Sequence, residues 1–404
     1  MSNIKFEITF KDRNSRARTG IITTPHGKIE TPVFMPVGTL ATVKSITPKD
    51  LEEIGAQIIL GNTYHLYLRP GADRIKQFGG MAKFMGWKGP TITDSGGFQA
   101  FSLGYGLEHG IGKIAKIFPD EEIEQKKPAA KTKLAVVDDD GVTFYSHIDN
   151  SKHRFTPELS IEIQKKLGAD IILAFDECTS PLSSYEYTKQ ALARTHNWAT
   201  QSFEVHSANK TKQALFGIIQ GGEYKDLRVE SAKFISGIDF DGYAIGGSLG
   251  KSKEDMHSII EWTVPELDEN KPRHLLGIGG VDDLFECIER GIDMFDCVGP
   301  TRMARSGMLL ISPESGGNNE NKWRLRIQNA EFSNDAKPID KNCNCYTCQT
   351  FSRAYIKHLF VNSELLAYRL ASYHNLFFMI NLVSKIKESL PEETFHELKK
   401  KWLC

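Results

Sequence analysis

Eight short apolar runs, spread between residues 33 and 298, most tightly limit what this chain can fold into. They are Val33–Pro36, Gln57–Gly61, Thr91–Asp94, Ile171–Phe175, Leu215–Ile219, Tyr243–Gly246, His274–Gly277 and Met294–Val298, and most close on, or are followed by, a polar residue or glycine. Brief runs without alternation suit strands buried on both faces, as in a parallel sheet. Helical patterns lie between many of them. Thr47-Pro48 and Thr156-Pro157-Glu158-Leu159 each offer an N-cap followed by proline at the first helical position, and Tyr224–Ile235, Glu254–Trp262 and Val281–Arg290 read as later helices. The pattern predicts an α/β fold, a (β/α)8 TIM barrel. A doubly wound open sheet is the rival, weakened because no Gly-rich fingerprint follows the first strand.

The formal net charge is −1. No global field announces a nucleic-acid partner, so any RNA contact must come from a local basic patch. Apolar residues are 40% and charged residues 25% of the chain, ordinary for a soluble enzyme. No apolar run approaches the roughly 18 residues that span a bilayer. Met1 to Asp12 is charged and lacks the apolar core of a signal peptide, so a cytoplasmic location is expected.

Three of seven cysteines, Cys343, Cys345 and Cys348, form a C-x-C-x2-C cluster, and His374 follows 26 residues after the last. Three thiolates and one imidazole make a closed tetrahedral set, the structural type of Zn2+ site, with no position left for a reactive water. The other four cysteines read as small buried hydrophobes. Residues 1–311 are thus expected to form the catalytic barrel, and 312–404 a zinc-binding subdomain with C-terminal helices completing the barrel. A flexible insertion is expected around 113–140, where Lys, Glu and Pro abound and Asp138-Asp139-Asp140 follows. Ser315–Asn321 reads as a turn or hairpin tip. Lys322, Arg324, Arg326 and Lys337 are candidates for a phosphate-binding patch.

In a βα barrel the functional groups gather at the C-terminal strand ends. Those positions give Asn62, Asp94, Asp176, Gln220, Gly247 and Asp296. Any one aspartate could be a helix cap or loop ion pair. Three together, crowding like charge into one mouth, cost energy that a merely folded barrel has no reason to spend. Two such carboxylates suit retaining glycosyl transfer, one attacking the anomeric carbon and the other moving protons. The remaining polar groups suit a flat hydrogen-bonding ligand such as a nucleobase, and Phe98, after Ser95-Gly96-Gly97, could stack on it.

Six segments resemble signatures of the tRNA-guanine transglycosylase family, bacterial type. They are Gly61–Leu66, Asp94–Gln99, Ser146–Asp149, Phe175–Cys178, Gly217–Gly222 and Asp293–Val298, with Pro300-Thr301-Arg302 after the last. The resemblance runs in order from about Phe6 to about Leu390. It implies exchange of guanine at the tRNA anticodon wobble position, in tRNAs with GUN anticodons, for a 7-deazaguanine (preQ1 or queuine). Asp296 would be the nucleophile of a covalent ribosyl intermediate and Asp94 the general acid/base. The resemblance further implies base contacts from Asp176, Gln220, Gly246, Gly247, Ser95, Phe98, Asn62 and Cys178, an apolar lid from Leu276, anticodon contacts from Arg302 and Arg305, zinc on Cys343, Cys345, Cys348 and His374, and a homodimer.

Two features depart from the usual pattern. Extra residues lie between Gly112 and Val142, and Gly250 stands where bacterial relatives typically have a larger aliphatic residue. The glycine suggests a pocket wide enough for queuine, whereas Cys178 matches the type that takes preQ1. A non-catalytic tRNA-binding accessory subunit is the alternative, which the presence of both Asp94 and Asp296 disfavours. A small-molecule nucleosidase is another, disfavoured by the cysteine cluster and the arginines after Asp296.

Overall fold

The structure, a computed structural model, describes residues 4–101, 135–208 and 211–404. The chain begins with an antiparallel sheet of β1 (Lys5–Lys11), β2 (Arg18–Thr24) and β3 (Gly27–Thr31). Ile22 and Ile29 of this sheet join the apolar cluster inside the barrel, so the sheet plugs its N-terminal end.

The barrel strands are β4 (Val33–Met35), β5 (Val37–Gly38), β6 (Ile59–Gly61) and β7 (Thr91–Thr93), followed after an excursion by five more. The excursion is a second antiparallel sheet, β8 (Ala135–Asp138), β9 (Gly141–Tyr145) and β10 (Lys152–Phe155). The barrel resumes with β11 (Ile171–Leu173), β12 (Ala214–Ile219), β13 (Gly242–Ile245), β14 (Arg273–Leu275) and β15 (Met294–Asp296). Their order is β4-β15-β14-β13-β12-β11-β7-β6-β5, parallel throughout. Because β4 and β5 are one stretch divided at Pro36, the two edges of the sheet meet and an eight-segment (β/α)8 barrel closes. All eight predicted runs supply its strands.

Alternation is present within the runs, hidden because both faces are apolar. Val33, Met35, Leu60, Ile92, Ile171, Leu173, Phe216, Ile218, Ala244 and Met294 fill the interior. Phe34, Ile59, Ile172, Leu215, Tyr243, Ile245 and Phe295 meet the surrounding helices. The predicted helix starts also hold. Thr47 caps Pro48–Glu53 in a reciprocal capping box with Asp50, and the Thr156 hydroxyl accepts from Leu159 N above Pro157–Leu167.

Of the expected flexible insertion, residues 113–134 lie outside those described, and its end differs from expectation. Ala135–Asp138 is a paired strand, and Asp138 is held by Arg154 Nη1 at 2.8 Å across the sheet. β9 and β10 bury Phe144 and Phe155 against Tyr64 beside the mouth. Beyond the barrel, β16 (Met308–Leu310) and β17 (Arg324–Arg326) form an antiparallel pair with the Ser315–Asn321 loop in its connection. The long helix Leu365–Ser389 packs on β4, β16 and the helix Gly299–Arg305. No helix among the described residues is long and apolar enough to cross a membrane.

Candidate active site and metal centre

Parallel closure brings the predicted groups to one rim. Asn62 follows β6, Asp94 follows β7, Asp176 lies just beyond β11, Gln220 follows β12, Gly246-Gly247 follow β13, Leu276 follows β14, and Asp296 ends β15. They form three linked clusters.

Asp94 is held from three directions. Its Oδ2 accepts from Asn62 Nδ2 and, at 3.0 Å, from Gln99 Nε2, while Oδ1 accepts from Thr63 N at 2.8 Å. Desolvation outweighs these donors and pushes its pKa up to about 6, with a smaller push from the charge of Asp296. The charge of Asp296 is thus felt at Asp94 across the rim. Asp296 is fixed through one oxygen only. Its Oδ1 meets His274 Nε2 at 2.8 Å and accepts from Gly277 N at 3.0 Å, while Oδ2 has no hydrogen-bond partner among the described residues.

The third acid sits beside an amide. Asp176 accepts from Ser95 Oγ at 2.8 Å and from Gln220 Nε2 at 2.7 Å, and burial raises it too to about 6. The buried Oε1 of Gln220 has no hydrogen-bond partner among the described residues. Gly247 backs onto it at φ +83°, where an added Cβ would stand 2.0 Å from that oxygen, so only glycine fits. Leu276 Cδ1 lies 3.3 Å from the place of a Cβ on Gly246, covering this wall. Cys178 is buried beside Asp176, its thiol pushed well above the usual range by burial and that charge. Phe98 is half-buried in the helical turn of residues 97–101.

Gly250 has an explanation besides the one expected. Its φ is +85°, and a Cβ there would lie 2.1 Å from Asp255 Cβ. Asp255 forms the capping box with Ser252 that starts the helix Lys253–Thr263. The turn packed on that helix end thus favours glycine for its own reason, beside the room for a ligand that was expected. Arg302 is exposed and Arg305 half-buried, and neither forms an ion pair with a mouth acid among the described residues; Arg305 Nη1 donates to Thr301 O at 2.8 Å.

Away from the mouth, Cys343, Cys345, Cys348 and His374 are all buried with their ligand atoms within 4.8 Å of one another. The three Sγ atoms stand 3.7, 3.5 and 3.3 Å from His374 Nδ1. Tetrahedral zinc with ordinary Zn–S and Zn–N bonds places such atoms roughly 3.6 Å apart. His374 Nε2 contacts Leu310 O at 2.7 Å, which fixes its proton there and leaves Nδ1 free to ligate. The cluster can therefore hold a metal ion. Of the four cysteines expected to be buried, Cys178, Cys287 and Cys297 are, but Cys404 is exposed at the chain end.

Two polar residues of the site escaped sequence reasoning. His274 lies inside an apolar run, completely buried, with Nδ1 unpartnered among the described residues. The departure of an imidazole from an otherwise apolar strand was the available signal. Arg228 sits on the buried face of the helix Lys225–Ser236, where its charge breaks the apolar stripe.

Comparison with known proteins gives matches along nearly the whole chain. The profile of the family described as queuine tRNA-ribosyltransferase matches residues 12–404. The chain is 53% identical to a relative from Archaeoglobus fulgidus over 99% of each chain. It is 49% identical to the queuine tRNA-ribosyltransferase of Roseiflexus sp., again over 99% of each. It is 48% identical to that of Caldanaerobacter subterraneus subsp. tengcongensis, over 100% of this chain and 98% of the relative. With matches of this identity across its whole length, the chain belongs to the queuine tRNA-ribosyltransferase family.

Proposed function

We propose that the protein is a pentosyltransferase that removes guanine from the wobble position of tRNAs with GUN anticodons (Asp, Asn, His, Tyr) and installs a 7-deazaguanine, preQ1 or queuine. The observation that carries this reading is the unequal pair at the mouth. Asp296 is anchored through Oδ1 with Oδ2 unengaged, and Asp94, on the same rim and within reach of its charge, has a pKa raised to about 6. In this reading Asp296 Oδ2 attacks C1′ of the ribose as the C1′–N9 bond breaks. The departing guanine takes the electron pair and a proton from neutral Asp94. The incoming base gives its N9 proton to the Asp94 carboxylate, and N9 then displaces Asp296 from C1′. Two inversions retain the β-configuration. A pKa near 6 suits a group that must give and take a proton in one cycle near neutral pH.

Asp176, Gln220 and the Gly246-Gly247 backbone would read the base edge, with Ser95, Asn62 and Cys178 supporting, Phe98 stacking and Leu276 as lid. A carboxylate suits the N1–H and 2-amino groups of guanine. The target base must leave its stack to reach them, which is cheaper in a loop than in a duplex. Arg302 and Arg305, on the helix after Asp296, would meet the neighbouring anticodon nucleotides. One structural Zn2+ would occupy Cys343, Cys345, Cys348 and His374. We further propose a cytoplasmic homodimer; Val361 and Leu365, 64% and 81% exposed, offer apolar surface that a second copy would cover.

The test is incorporation of labelled guanine into tRNA and into free guanosine, with a search for a denaturation-resistant RNA adduct. Label in tRNA alone, and an adduct that vanishes in Asp296→Asn, are expected. Label entering free guanosine equally well, or an adduct persisting in that variant, overturns the reading.

A further inference from the structure

Arg228 takes no part in the chemistry above, yet its placement is costly. Its side chain is wholly buried and is surrounded by backbone carbonyls. Nε donates to Gly222 O at 2.8 Å, Nη1 to Ile219 O at 3.2 Å and Gly246 O at 3.0 Å, and Nη2 to Ser248 O at 2.8 Å. It forms no ion pair with a carboxylate among the described residues, and burial lowers its pKa to about 10. A buried charge without a counter-charge is unfavourable unless hydrogen bonds replace its water. Nor does the helix benefit, since Arg228 sits near the N-terminus of Lys225–Ser236, where the dipole disfavours a cation. Neither core packing nor helix stability accounts for this residue.

The identity of the four acceptors does account for it. Helical side chains lean towards the helix N-terminus, and in a βα barrel that end faces the mouth. Ile219 and Gly222 bracket Gln220 at the end of β12, while Gly246 and Ser248 bracket Gly247 after β13. One planar fork thus spans the two neighbouring loops that carry Gln220 and Gly247. We propose that Arg228 is a positioning residue that locks these loops together, so that Gln220 and the Gly247 backbone meet the base as one preformed wall. The proposal rests on the reading that Asp176, Gln220 and Gly246-Gly247 bind the base. A lysine cannot reproduce it, because an ammonium has three donors around one atom and no fixed fork.

The test is steady-state guanine exchange into tRNA by Arg228→Lys and Arg228→Gln, with melting temperatures measured alongside and Gln220→Ala as reference. In a folded variant, KM for guanine should rise at least tenfold while KM for tRNA changes less than twofold. A guanine KM within twofold of the unaltered enzyme, or equal rises for guanine and tRNA, overturns the proposal. If neither variant folds, Arg228 belongs to the general core and the proposal also falls. Gln220→Ala separates the two layers of inference. If it leaves the guanine KM unchanged, the base-site reading itself fails; if it raises that KM and the Arg228 variants do not, only the role of Arg228 is lost.

Discussion

The Cys3His cluster and the barrel mouth are both buried gatherings of polar side chains, built on opposite principles. At the cysteine cluster three of four ligands come from six consecutive residues, and the fourth has its second nitrogen committed to Leu310 O. At the mouth the groups come from separate strands, and hydrogen-bonding capacity is left over. Asp296 Oδ2, Gln220 Oε1 and His274 Nδ1 all lack hydrogen-bond partners among the described residues. Desolvation also holds Asp94 and Asp176 near a pKa of 6. A centre that closes on itself stabilises the fold, whereas one with spare capacity sacrifices some stability to meet a ligand.

That contrast can be broken at either end. The largest effect is expected at the mouth: Asp296→Asn should lower guanine exchange by about 10^4-fold or more, as loss of a nucleophile does, while the melting temperature stays near that of the unaltered protein. Substantial residual exchange would remove Asp296 from the chemistry. Next, Cys345→Ser or stripping of metal by a chelator should cost several kcal/mol in denaturant unfolding, with activity falling only as the fold is lost. Elemental analysis should then find about one zinc per chain before treatment and almost none after. Selective loss of activity with unchanged stability would contradict the structural assignment.

The third prediction concerns pH. Asp176 binds its proton more tightly in the folded protein than in the unfolded chain, so its contribution is most favourable below the unfolded value and is lost as pH rises through about 6. Asp176→Asn removes that loss. Its stability relative to the unaltered protein should improve by up to about 3 kcal/mol between about pH 4 and pH 7.5. A difference independent of pH in chemical denaturation would refute the desolvated carboxylate. The smallest effect is reserved for His274→Phe. Losing one hydrogen bond to a charged group should cut kcat about tenfold, leaving KM for tRNA unchanged; an unaltered kcat would show that Gly277 N alone orients Asp296.

The same contrast explains what was legible in the sequence. The cysteine cluster was readable because its spacing is local. The eight strands were readable because burial on both faces leaves few polar residues in them, and the rim acids because they stand where those runs stop. Arg228 and His274 were missed because their meaning depends on which strands become neighbours, a property of closure that no short window contains. The N-terminal sheet could have been found: Lys5-Phe6-Glu7-Ile8-Thr9-Phe10-Lys11 alternates with period two, and its burial does the same. Gly250 shows a different gap, since its residue type was read only as ligand space, while its backbone angle and the helix cap beneath it supply a second reason for glycine that no residue type reveals.

Leu310 and the neighbouring pair His374 and Asn375 carry a consequence for how the molecule is made. Leu310 N donates to Asn375 Oδ1 at 2.9 Å and its carbonyl meets the ring of His374, while Asn375 Nδ2 also reaches Pro300 O at 3.1 Å and Met308 O at 3.0 Å. The stretch just after the last barrel strand is thus secured from more than sixty residues downstream, by a histidine that also belongs to the thiolate cluster. A chain emerging from the ribosome would have to wait for more than sixty further residues after Leu310 before that corner could close, and would depend on chaperones, or on speed, until then.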